Sequence, residues 1–474
     1  MPNYLSVGPS LPDFAVEVAF ASLPTADPQV WTNVTPYVRQ LSIRRGRNNE
    51  LARVEAGTLD LLLDNRSARF NPENSSGPYY GNLVPKRQVR VWARSGATEK
   101  LLFTGFVGGW PQEFPDSGSD AVARVSATDM MGLLARARFS PPPPLTLIGS
   151  ITDSATSLQV SATGTIYWPT GFPYVITIDS EDLTVTSAAG AIFTVTRGAN
   201  GTTATAHPGG SVITTTEVGF DPFDSGNMIH QAIRNSLWPN LGEPGGYYGN
   251  IAVGKTTLQS GVLTSDSNPL EFVHKCADSE AGQFFAGVDG FPVFNNRHYR
   301  ITNTTSTATF GEGPGEIPYQ DVEISHDEQQ LYNNIVITLA GGQKVTASDT
   351  TSQAAFWPAT LSRETIGLAG EAQDLAYYLL GRLKNPQLRV PDLVLDGHTV
   401  SGTTLIGLDL DQRYTVKRRP ASGTAISKVV FVEGIEHSLA PATWMTSLDL
   451  SNADVEAYWI LGTSQLGVDT KLAY

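Results

Sequence analysis

One cysteine, Cys276, stands in a chain of 474 residues. That excludes an intrachain disulfide framework and any zinc site built on paired cysteines. No apolar run is long enough to cross a bilayer, and no charged segment followed by an apolar core opens the sequence. The expectation is a protein with no membrane span, made and folded in a reducing cytoplasm. Charge is sparse as well: Asp, Glu, Lys and Arg make up 16% of residues, and the net charge is −14. Proteins that read DNA carry basic surfaces, because neutralising phosphates supplies much of their affinity. The acidic balance therefore weighs against a grip on nucleic acid. It does not weigh against a surface that DNA slides past.

Signatures of chemistry are missing too. The histidines (His207, His230, His274, His298, His326, His398, His437) include no pair at helical metal spacing, and HExxH is absent. His230 and His274 fall on predicted helices, where a packed or surface histidine is a simpler reading than a ligand. There is no G-x-S-x-G elbow and no Walker loop. "FGEGPGE" at 310–316 has glycines at every second position and no helix after it, so it reads as a flexible loop. Asp409 and Asp411 have the composition of an acid–base pair, yet at strand spacing they read as solvated surface. Cys276 lies on the apolar side of a predicted helix and reads as core rather than nucleophile. No catalytic residue, cofactor or metal is expected.

What is plentiful is turn punctuation: 45 glycines and 30 prolines separate short apolar runs. The length predicts about three domains. In "LDLLLDN", Leu59, Leu61 and Leu63 share one face of a strand; in "QVRVWAR", Val89, Val91 and Ala93 do. With "LLFTGFVGGW", "AVARVSATD" and a helix near 128–137, residues 1–140 read as an antiparallel barrel closed by a helix. "SPPPPL" is a stiff linker. Beyond it, 146–216 alternates β-branched residues with turns and has no helical period, so it reads as a separate small β domain.

From 217 to 325 the texture is mixed. A helix with Ser225 as N-cap and a stripe of Ile229, Ile233 and Leu237 is predicted, then one capped by Asn268 with Pro269 first and Gly282 as stop. A hairpin turning at Asp289-Gly290 follows. Residues 326–474 return to strands, with a hairpin at Gly341-Gly342. An amphipathic helix near 368–384 carries Ala372, Leu375, Ala376, Leu379 and Leu383 on one stripe. "YYGN" occurs at Tyr79 and again at Tyr247, a repeat short enough to arise by chance.

"SIRRGRNNE", 42–50, packs Arg44, Arg45 and Arg47 into four positions of an acidic chain. It has no helix and no interleaved aromatics, so it is a poor DNA-reading element. Gly46 and Asn48-Asn49 supply turn chemistry. The stretch reads as a solvated strand end, with contact to the acidic edge of another protein as the alternative.

Several long stretches resemble one family. "WTNVTPYVRQLSIRRGRNNELARVEAGTLDLLLDNRSARFNPENSSGPYYGNLVPKRQVRVWA", "LFTGFVGGWP" and "ARVSATDMMGLLA" are similar to the N-terminal barrel of tail hub proteins of long-tailed bacteriophages. These are minor tail proteins of the tail tip, similar in turn to the baseplate hub of contractile-tailed phages. "PLEFVHKCADSEAGQFFAGVDGFPVFNNR" resembles the family's helix-plus-hairpin element, and "LYNNIVITLAGGQKVTASDTTSQAAF" the strand pair entering its second barrel. "EGIEHSLAPATWMTSLDLS" and "WILGTSQLGVDTKLAY" resemble its ending. The segment containing "TVTRGANGTTATAHPGG" looks like small β modules that decorate phage tail proteins.

The resemblance implies a mainly β fold with α+β portions: two hub-type β-barrels, a mixed α/β region and an inserted small all-β domain. It implies a structural virion protein rather than an enzyme, a homotrimeric ring at the tail tip assembled in the bacterial host cytoplasm. One face would present pseudo-sixfold symmetry to the distal tail protein or tail tube. The other would meet the tape measure protein or central tail fibre, with DNA ejected through the middle. An acidic lumen suits sliding DNA, and no room is expected after "WILGTSQLG" for a cell-wall hydrolase domain. Two other readings stand beside it: a hexameric distal tail protein, and a β-rich carbohydrate-binding or carbohydrate-active protein. In a narrower version, Tyr167, Trp168 and Tyr174 of the inserted module contact a host glycan.

Overall fold

A computed structural model describes the chain except residues 1, 7, 9, 116–117, 162–167, 237–249, 260, 327 and 454–474. The alternation read in the N-terminal segment becomes strands Asp13–Val18, Val38–Gly46, Glu55–Asp64, Gln88–Ser95, Thr98–Val107 and Val122–Thr128. Their inward residues, among them Val16, Leu41, Ile43, Leu59, Leu61, Leu63, Val89 and Val91, enclose one hydrophobic core. The helix that follows is shorter than expected, Met130–Leu134; Asp129 fixes its start by accepting from the Met131 N–H at 2.9 Å.

The C-terminal strands do not form a body apart. Ile426–Ala440 pairs antiparallel with Val38–Gly46, then with Thr443–Asn452, which pairs with Asp392–Asp396. The result is one continuous 15-stranded sheet running through both halves of the chain. Leu439 and Trp444 feed the first core, while Val430, Val432, Ile435, Leu448 and Leu450 feed a second. Pairing also crosses the boundary expected at 325/326: Thr309–Phe310 lies beside Arg413–Arg418, and Asp321–Val322 beside Asp392–Asp396.

Around the second core pack helices Ser225–Ser236 and Pro269–Glu280 and the hairpin Gln283–Ala286 with Pro292–Asn295. Asn268 caps the second helix as expected, but the left-handed stop is Ala281 at φ 56°, one residue before Gly282. Ser225 is not the cap of the first. It lies inside the helix, Asp224 accepts from the Asn227 N–H at 3.1 Å, and the Ser225 hydroxyl donates to Glu280. Leu237, the first three residues of the second "YYGN" and the terminal "WILGTSQLGVDTKLAY" lie outside the described residues.

Asn334–Leu339, Lys344–Ser348 and Thr360–Thr365 make a separate three-stranded sheet, covered by helix Ala369–Leu383. The helix buries Ala372, Leu375, Ala376, Leu380 and Leu383. Leu380 takes the inner position that the stripe had assigned to Leu379.

The inserted segment is a closed six-stranded barrel: Leu145–Ile148, Ser157–Val160, Tyr174–Ile178, Glu181–Ala189, Ile192–Ala199 and Val212–Thr214. It has its own core, including Ile176, Leu183, Val185 and Ile213. Its first and last strands pair, Leu145 opposite Ile213, so the entering and leaving chain lie about 5 Å apart. Excising 145–214 and bridging the gap with a short Gly/Ser linker is expected to leave one cooperative thermal transition, within about 5 °C of the full chain. Loss of that cooperativity in a calorimetric scan would show that the barrel supports its host.

Candidate functional site

The seam between the two halves is built from the arginine-rich stretch. Leu41 stands opposite Leu439, Ile43 opposite His437, Arg44 opposite Glu436 and Gly46 opposite Gly434. Because side chains alternate, Leu41, Ile43 and Arg45 share the buried face and Arg44 takes the outer one. Arg44 meets Glu436 at 3.3 Å, a directly opposed cross-strand pair, and Asp449 at 2.9 Å. Arg45 is only 6% exposed; it reaches Asp409 at 2.8 Å and the Ala286 carbonyl at 3.0 Å.

At Gly46 the two strands approach closely. Its φ is +96°, and a Cβ there would stand 2.1 Å from the Glu433 carbonyl oxygen. The opposite strand bulges between Val432 and Gly434, which turns the Glu433 side chain into the interior. Glu433 is fully buried and accepts from Arg47 Nε at 2.7 Å, from both terminal nitrogens of Arg300 at 2.6 and 3.0 Å, and from the Ser451 hydroxyl. Arg300 Nε also donates to Asp411 at 2.6 Å. Burial by itself would raise the Glu433 carboxyl; Arg300 and Arg47 outweigh it and hold the group far below the usual carboxylate range. Glu50 closes the stretch by pairing with Arg382 at 2.6 Å and Arg389 at 3.2 Å. Residues 42–50 thus tie the N-terminal sheet to residues between 241 and 405 positions away in sequence. Every charge in this network has a counter-charge in van der Waals reach, so it locks the two halves of the sheet together and offers no free acid or base.

Placement of the expected residues follows from this. The solvated-turn reading of 42–50 gives way: Arg45 and Arg47 are consumed inside the chain, and Arg44 retains 38% of its side-chain surface. Asp409 and Asp411 part company: Asp409 keeps 41% of its side-chain surface while pairing with Arg45, whereas Asp411 is buried beneath Arg300 and accepts from Asn295 Nδ2 at 2.7 Å. The 310–316 loop is clamped rather than loose, since Glu316 accepts from the Gly313 N–H and from Arg419 at 2.7 Å. Cys276 is buried, and burial pushes its thiol up, away from reactivity. Among the described residues no cluster of three or more His, Cys, Asp or Glu is arranged to hold a metal.

Glu433 and Arg300 were not foreseen. A glutamate followed by glycine inside the apolar run "VVFVEGIEHSL" is a bulge signal that could have exposed the first. Nothing local marks the second.

The inserted barrel carries its own buried cluster. Glu181 is fully buried and accepts from Arg197 at 2.7 and 2.8 Å, from His207 Nε2 at 2.9 Å, and from the Thr205 and Gly198 N–H groups. Burial opposes the charge, but these donors hold the carboxyl at about 2. The arginine and histidine of "TRGANGTTATAHPGG" therefore serve to tie one end of the barrel. Trp168 and Tyr174 are 4% and 2% exposed and fill the barrel core, with Trp168 Nε1 donating to the Pro143 carbonyl at 2.9 Å. Their edges form part of the wall of a cleft of about 910 Å³ shared with Phe172, Phe193 and Phe223. Tyr167 lies outside the described residues.

No protein-family model matches the chain, and no curated protein matches it. Solved structures do. A tail protein from Neisseria meningitidis superposes with a TM-score of 0.51 and 12% identity, over 93% of this chain and 96% of that one. The chain has a tail-protein fold. A 43 kDa prophage tail protein from Shewanella oneidensis gives 0.49 and 11% over 93% and 97%, and the prophage tail protein gp18 from Listeria monocytogenes 0.41 and 9% over 93% and 95%. In the tail-protein fold of this chain, both halves of the sheet and the seam between them belong to one architecture.

Proposed function

We propose that the chain is a structural component of a bacteriophage tail, a hub of which three copies close a ring at the tail tip. The observation that carries this reading is the superposition of nearly the whole chain, both sheet halves included, on a tail protein of nearly equal extent. The two halves of the sheet, each with its own core, would give three copies six similar units facing a sixfold tail tube or distal tail protein. The opposite, threefold face would receive the tape measure protein or central fibre. The net charge of −14 supports a lumen that repels DNA and so lets it pass. No described helix is long and apolar enough to cross a membrane. The role is non-enzymatic and the site of action the virion tail, after assembly in the host cytoplasm.

Native mass across a concentration series, with binding to purified tail tubes, tests this. A trimer that caps tubes supports the hub; a hexamer transfers the proposal to the distal tail protein. Cleavage of host-wall glycans by the purified chain would favour the carbohydrate-active alternative instead. A glycan contact through Tyr167, Trp168 and Tyr174 has weaker support, because Trp168 and Tyr174 are spent on the barrel core. Binding of the isolated 146–216 segment on a glycan array would revive it.

A further inference from the structure

Residues 354–358, Ala-Ala-Phe-Trp-Pro, form a run of consecutive apolar residues that are all exposed. Phe356 is 45% and Trp357 83% accessible, and 350–362 contains no charged residue. Runs of this kind on a surface mark a contact, since water alone would select polar residues there.

The aromatic pair is also held stiffly. Trp357 has φ 67° and ψ 150°, a region close to glycine's exclusive territory and costly for a bulky side chain. Asn333, fully buried, enforces it: its Nδ2 donates to the Trp357 carbonyl at 2.9 Å and its Oδ1 accepts from the Ala359 N–H at 2.9 Å. Strain kept at an exposed tryptophan presents a preorganised knob, the residue type that dominates protein contacts.

A matching hollow lies at the other end of the same sheet. A groove of about 470 Å³ is lined by Val262, Leu263, Phe272, Leu339 and Ile366, with Lys275 and Glu364 as its charged residues. Opposite in sign, those two leave the groove neutral, so an uncharged knob buries no unpaired charge, and Lys275 can lie over an indole face. The knob precedes strand Thr360–Thr365 and the groove lies at that strand's far end, about 20 Å away. The two cannot meet within one chain.

We propose that the 354–358 knob of one copy seats in this groove on the next copy, joining copies head to tail. Such a contact uses two different patches and closes into a ring when the rotation permits. The proposal rests on the ring reading above and names its subunit contact.

The test compares the full chain with Trp357→Gly and Ala340→Arg by mass photometry and calorimetry. Ala340 is an exposed groove residue, and glycine suits the Trp357 backbone, so both variants should fold. Each is expected to raise the assembly midpoint about 30-fold or more, with the Tm of Trp357→Gly unchanged or higher. Mixing the two restores one good contact and should yield dimers without rings. In a third protein carrying Ala355→Cys and Ala340→Cys, oxidation should link chains to one another, Cys276 being buried. Trp357→Gly assembling like wild type, or a wild-type chain monomeric at every concentration, would overturn the contact. If the variant still forms rings that cap tail tubes, this contact falls and the hub stands. If wild type assembles through the contact yet never binds tubes, the hub falls and the contact stands.

Discussion

Replacing Arg300 by methionine is expected to destabilise the chain by about 3–5 kcal/mol in urea unfolding. The size follows from what remains behind. Glu433 is fully buried and Asp411 nearly so, and both lean on the Arg300 guanidinium at 2.6 Å. Without it, Arg47 alone must offset two interior carboxylates, and Asp411 keeps only the Asn295 amide. Methionine fills comparable space, so lost packing is a small part of the effect. Glu433→Gln, which keeps the shape and one acceptor while removing the charge, should cost less than Arg300→Met. A cost below about 1 kcal/mol for Arg300→Met would mean that water or neighbouring groups compensate the network, and that the seam does not depend on Arg300 to lock its two halves.

Stability is also expected to fall as pH drops from about 6.5 towards 4, by about 3 kcal/mol through His437 alone. His437 lies on the seam opposite Ile43, and burial, reinforced by Arg45, pushes its imidazole from 6.5 down to about 4. Trp444 Nε1 can only donate, so Nδ1 of His437 is the acceptor at 3.4 Å, and the Thr446 hydroxyl lies 2.9 Å from the same nitrogen. A proton on that nitrogen would have no acceptor there except the hydroxyl. The sign follows directly. Below 6.5 the unfolded chain takes a proton that the folded chain refuses until about 4, so the contribution is complete above 6.5 and is lost as pH falls. Asp129, pushed up to about 6 by burial, acts in the opposite direction over part of this range. The readout is therefore the difference between wild type and His437→Gln in chemical unfolding at a series of pH values. That difference should shrink steadily between 6.5 and 4; a pH-independent difference would rule the mechanism out.

The amino-acid sequence by itself determined the local elements. Alternation at Leu59, Leu61 and Leu63 sufficed for a strand, Asn268-Pro269 for a helix start, and Asp289-Gly290 for a hairpin, because each depends on residues within a few positions. The inserted barrel was legible for the same reason: its strands are short, consecutive and separated by turn residues. Long-range pairing was not. Whether Arg45 faces water or Asp409 depends on a strand nearly 400 residues later lying beside it, and neither segment carries a local mark of the other. Burial of Glu433 and Asp411 likewise needed the bulge, the Gly46 approach and Arg300 together. The exposed Phe356-Trp357 pair was the reverse case, an apolar run that any pattern reading assigns to the interior. Only the tertiary structure shows that the three-stranded sheet already has its helix and leaves that pair outside. Sequence decides what each segment is; which charges and rings remain for a partner is decided by packing, since burial is a property of the whole fold.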